Sequence, residues 1–156
     1  MKRGIQILIM FFLLSIFGFR AYAEVVTSCG GSRGYVYIFP GGLVPSFPGA
    51  WKSDNIPNGG IIFTFDGEKA DIIIRDATDI TKSVKEGGAI VEVLHVNSSA
   101  DLLNTTFLIM VYYPAGALEH YLFKLDENGV GKVVWGTAKA AGPLITNKLM
   151  VADCKK

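Results

Sequence analysis

The chain has little of what metal chemistry or nucleic-acid binding requires. It holds two histidines, His95 and His120, and two cysteines, Cys29 and Cys154, in 156 residues. Two imidazoles, even joined by Met110, fall short of the three or four supported ligands of a metal site, so no metal and no cofactor are expected. Charge of one sign is missing too, with 15 Lys and Arg against 14 Asp and Glu. Without a basic stripe carrying interleaved aromatics, nothing favours a phosphate backbone, and nucleic acid is not expected as a partner. Convincing helical periodicity is absent after residue 23, as are internal repeats and low-complexity tracts, which removes helix-rich and solenoid folds.

What is present begins with a secretory pattern. Met1-Lys2-Arg3 precedes an apolar run from Ile5 to Phe19, and Ala21-Tyr22-Ala23 supplies the small residues of a cleavage site. Residues 1–23 therefore read as a signal peptide, and residues 24–156 as a single domain in the periplasm or outside the cell. The alternatives are an uncleaved membrane anchor, which the short run and Arg20 oppose, and lipidation of Cys29 after Val26-Thr27-Ser28. Cleavage removes 23 of the 156 residues and leaves 133, with no membrane span and enough chain for one core; a monomer is expected. Losing Lys2, Arg3 and Arg20 moves the formal charge by three, from +1 to −2. In an oxidising compartment Cys29 and Cys154, near the two ends of the exported chain, are expected to pair.

The mature chain reads as all-β, with about eight antiparallel strands joined mainly by hairpins in a small barrel or two-layer sandwich closed by that disulfide. The central hairpin is Asn104–Leu125, where Pro114-Ala115-Gly116 sets Tyr113 opposite Ala117, Val111 opposite Glu119, Ile109 opposite Tyr121 and Phe107 opposite Phe123. A second hairpin, Ile61–Asp76, pairs Phe63 with Ile72 and Phe65 with Ala70. Burial parity after Asn128-Gly129 brings Val133 and Trp135 beside Phe123 and Tyr121, with Gly129 in a bulge. A first strand is expected over Gly34–Phe39 and a last one ending at Cys154. Pro40–Gly60, with four prolines, reads as the longest loop. Residues 77–88 fit either a short strand or one helical turn.

Chemistry is sparse. Gly30-Gly31-Ser32-Arg33-Gly34 spells the G-x-S-x-G of a hydrolase nucleophile, but no strand-then-helix context surrounds it, so it reads as a flexible lead into the first strand. Asp126-x-Asn128-Gly129 reads as a turn, since the later bidentate Glu of a calcium loop is missing. Glu119, opposite Val111 on the core face, is the most misplaced charge, and its place near a hairpin end is expected to leave it solvated. No base, nucleophile and orienter occupy compatible positions, so no catalytic residue is assigned. Phe47 and Trp51, in the long loop, are the candidate contacts for a small ligand or a protein partner. An exported non-catalytic binding domain is expected, ahead of a structural envelope component and, further behind, a hydrolase-type enzyme.

The succession Cys29, Gly34-Tyr35, Gly41-Gly42-Leu43-Val44-Pro45, Trp51 with Asp54, Asp71-Ile72, Asp76-Ala77-Thr78, Gly87-Gly88, Tyr113-Pro114 and Asp153-Cys154 resembles small exported proteobacterial proteins to which no activity is attached. The resemblance implies bacterial export and no chemistry.

Overall fold

Period-two alternation and glycine-bearing turns carry almost the whole architecture. The computed structural model describes residues 23–156 except 42, 47, 77, 79 and 99–104; residues 1–22 of the stretch that reads as a signal peptide, and Phe47, lie outside the described residues. Ten strands run through the rest: β1 (Glu24–Ile38), β2 (Ala50–Ile56), β3 (Gly60–Phe65), β4 (Ala70–Arg75), β5 (Thr81–Ser83), β6 (Ile90–Ser98), β7 (Thr105–Tyr113), β8 (Ala117–Leu125), β9 (Gly131–Lys139) and β10 (Thr146–Lys155). They form one antiparallel sheet in the order β5-β4-β3-β1-β10-β9-β8-β7-β6, with β2 beside β1. The sheet curls into a half-barrel. β4 reaches β6 with no ladder between them. The all-β expectation holds in this curled single-sheet form, and β2 and β5 are the strands beyond the expected eight. Among the described residues no helix is long and apolar enough to cross a membrane.

Both expected hairpin registers are present. Tyr113 faces Ala117, Val111 faces Glu119 and Phe107 faces Phe123, while Phe63 faces Ile72 and Phe65 faces Ala70. One turn geometry serves twice. The Gly116 N–H donates to the Tyr113 carbonyl at 3.0 Å and the Gly129 N–H to the Asp126 carbonyl at 3.0 Å, each glycine being left-handed with φ of 80° and 73°. Tyr121 then lies opposite Trp135 and Phe123 opposite Val133.

Two elements differ from expectation and a third, left open between two forms, is settled. β1 begins at Glu24, ten residues before Gly34, because Gly30 and Gly31 carry no alternation signal yet stay extended through a register irregularity. There β1 changes neighbour, from β3 to β2. The G-x-S-x-G stretch is thus strand interior, not a flexible lead. Pro40–Gly60 is not all loop, since Ala50–Ile56 pairs with the second half of β1. Residues 81–83 settle as the short strand β5, followed by turns.

The core lies inside the curl. Phe63, Ile72, Ile109, Tyr121, Phe123 and Val133 form one cluster with Phe107, and Phe65 and Trp135 pack against it. Phe63 of β3 stacks on Phe123 of β8 at 4.9 Å, which joins the two halves of the sheet across the interior. Cys29 and Cys154 face each other between β1 and β10 and are disulfide-bonded. The bond links the ends of the domain.

Candidate functional site

Glu119 interrupts the apolar parity of β8, standing between Val111 of β7 and Thr137 of β9. Its carboxylate is half-buried, not solvated as expected. The Tyr113 hydroxyl donates to Oε2 at 2.7 Å and the Tyr121 hydroxyl to the same oxygen at 2.6 Å. Geometry explains the pair: Tyr121 is two residues along the same face, and Tyr113 is the diagonal neighbour across the hairpin. Burial raises both phenols above their ordinary titration range, and the adjacent Glu119 charge pushes them further the same way. They stay protonated donors.

Three cavities meet around these residues. One of about 200 Å³ is lined by Ser32, Ile61, Ile74, Glu119, Tyr121 and Trp135, among others. A second of about 730 Å³ adds Tyr113, Lys139, Leu144 and Lys148, and a third of about 540 Å³ runs from Ile74 and Tyr113 to Lys82 and Ser83. Shared walls at Ile74, Tyr113 and Glu119 make them one cleft at an open end of the half-barrel. Beside it, Trp135 Nε1 and Thr137 Oγ1 are buried without a hydrogen-bond partner. Such groups are costly to leave unpaired. Lys148 is engaged: its Nζ donates to Asp54 Oδ2 at 2.6 Å. The Lys139 side chain has no ion-pair or hydrogen-bond partner among the described residues. A separate cavity of about 340 Å³ at another edge is lined by Phe65, Phe107 and Leu125, with Glu24 and Lys156 at its margin.

Trp51 stands elsewhere. It is 60% exposed, lies on β2 against the edge of Tyr37 at 5.4 Å, and lines none of the cleft's cavities. His120 faces away from the cleft, over Gly136, with Met110 opposite it in the ladder. Among the described residues no cluster of three or more His, Cys, Asp or Glu could hold a metal ion. The Asp126 carboxylate is used by its own turn, accepting from the Asn128 and Val130 N–H groups at 2.9 Å each. Parity had marked Glu119. The same parity, read for hydroxyls, would have found Tyr113 and Tyr121. No known protein family, characterised protein or solved structure matches this chain.

Proposed function

We propose that this is an exported bacterial β domain, periplasmic or secreted after loss of residues 1–23, that binds a small polar ligand in the cleft around Glu119 without catalysing a reaction. The disulfide fits an oxidising compartment. The observation that carries the reading is the Glu119 carboxylate, fixed by two neutral phenols where the cavities meet, beside the unpartnered Trp135 Nε1 and Thr137 Oγ1. Aromatic and aliphatic walls with a few placed polar groups are what small-molecule sites are made of. Catalysis has less support, because the Glu119 carboxylate, which lines two of these cavities, is occupied by phenols that hold their protons, and His120 is turned away. A thermal-shift panel of amino acids, sugars, organic acids and amines tests the proposal on wild type, Glu119→Gln and Trp51→Ala. A binder should raise the melting temperature of wild type and Trp51→Ala and fail with Glu119→Gln; equal stabilisation of Glu119→Gln would remove the cleft.

A second reading, a protein partner, has its own observation. Tyr37 touches Phe39 at 4.7 Å and Trp51 at 5.4 Å, and Tyr35 and Trp51 are each about 60% exposed. Apolar strips of this kind mark contact surfaces. Loss of a captured periplasmic protein with Trp51→Ala, but not with Glu119→Gln, would favour it over the cleft. A purely structural envelope role is the alternative if neither surface binds.

A further inference from the structure

We infer that the ligand of this cleft is a small zwitterion carrying a protonated amine and a carboxylate. The inference rests on the cleft being a binding site. Glu119 and Lys139 line the same cavity of about 730 Å³. Glu119 is paired with Thr137, and Lys139 with Ala117, so the two charges are diagonal neighbours on one face, at roughly the 7–8 Å spacing that long side chains can bridge. They do not pair with each other. The Tyr113 and Tyr121 hydroxyls, at 2.7 and 2.6 Å, hold the carboxylate instead. Lys148, across from Thr137 on β10, could also have neutralised Glu119, but its ammonium is bound to Asp54 at 2.6 Å.

Within this one cavity an anion and a cation are thus left unpaired on a shared wall. Thr137, 4% exposed, shares their face with its hydroxyl unpartnered. A ligand with a single charge would satisfy one group and leave the other facing it. A molecule bringing an ammonium to Glu119 and a carboxylate to Lys139 satisfies both, and Ile74, Pro143 and Leu144 offer apolar surface for its methylenes.

Titration calorimetry at low salt tests this with glycine, 4-aminobutyrate and 6-aminohexanoate as probes, and butylamine and butyrate as single-charge controls. At least one zwitterion should bind at least about tenfold tighter than both controls, with that advantage lost in Lys139→Gln and in Glu119→Gln. Lys139 is exposed, so its variant reports even if Glu119→Gln is poorly folded by circular dichroism. Controls binding as tightly as every zwitterion would overturn the charge inference and leave cleft binding standing. No binding by any probe would also overturn it, and the thermal-shift panel then decides the cleft separately.

Discussion

Glu119 is kept on the inner side of β8 by hydrogen bonds from neutral donors, not by an ion pair. Removing one donor while keeping its ring isolates that bond. Tyr121→Phe should cost about 1.5–3 kcal/mol in urea unfolding, the range for a hydrogen bond to a charged acceptor, with the Tyr113 bond still in place. The phenols also set a pH dependence. Both are raised above the ordinary value of 10.0, so the folded state holds protons that the unfolded chain releases first. Stability should be unaffected by them below about pH 10 and fall above it. Tyr121 alone accounts for at most about 1.4 kcal/mol per pH unit, and half-buried Tyr113 for less because water screens it. Chemical unfolding from pH 9 to 11 should show a shallower decline in the Tyr113→Phe, Tyr121→Phe double variant than in wild type; parallel declines would mean that burial beside Glu119 does not raise the phenols.

At the scale of elements, two hairpins use the same turn and differ in what surrounds the left-handed glycine. A Cβ on Gly116 would meet only Ala141 at 3.3 Å, whereas one on Gly129 would lie 2.5 Å from the Val26 carbonyl oxygen. Gly116→Ala should cost about 1–2 kcal/mol for the backbone alone, and Gly129→Ala clearly more, because β1 must also move. Equal losses in thermal melts would mean the β8–β9 turn does not pack on β1. That packing is supported by Thr27, whose buried hydroxyl donates to the Gly129 carbonyl at 2.6 Å. Hairpin registers were legible because the turns at Asp66–Lys69 and Pro114–Gly116 set the pairing, which puts Phe63 and Phe65 on one face of the first hairpin and Phe107, Tyr121 and Phe123 on one face of the second. β2 was not, since Ala50–Ile56 is exposed or half-exposed on both faces and burial parity has nothing to read there. Nor was the first half of β1, where glycines replace side chains. The cleft was half legible: Glu119 stood out against its face and Lys139 follows from the β8–β9 register, but Lys148 and Ile74 reach it only through the order of strands around the sheet, which local pattern does not encode.

The molecule as a whole is a sheet curled on an aromatic core, with its ends joined by one covalent link. Cys29 and Cys154 are 125 residues apart in sequence, so the bond constrains nearly the entire unfolded domain and should add up to about 4–5 kcal/mol in the chain-entropy model. Urea unfolding with and without reductant should differ by a large part of that; coincident curves would mean the bond is absent or without effect. The same curl creates the cleft and separates it from the outer aromatic strip, and each surface has its own tryptophan. Trp135 lines the cleft and Trp51 stands outside it. The chain has just these 2 tryptophans, and their two indole N–H resonances in a nitrogen-15 correlation spectrum report on the surfaces separately. Titrating in the low-molecular-weight fraction of a periplasmic extract should shift the Trp135 resonance, as its unpartnered Nε1 responds to an occupied cleft, and leave Trp51 in place. A shift of Trp51 alone would contradict the account and move the binding surface to the outer face.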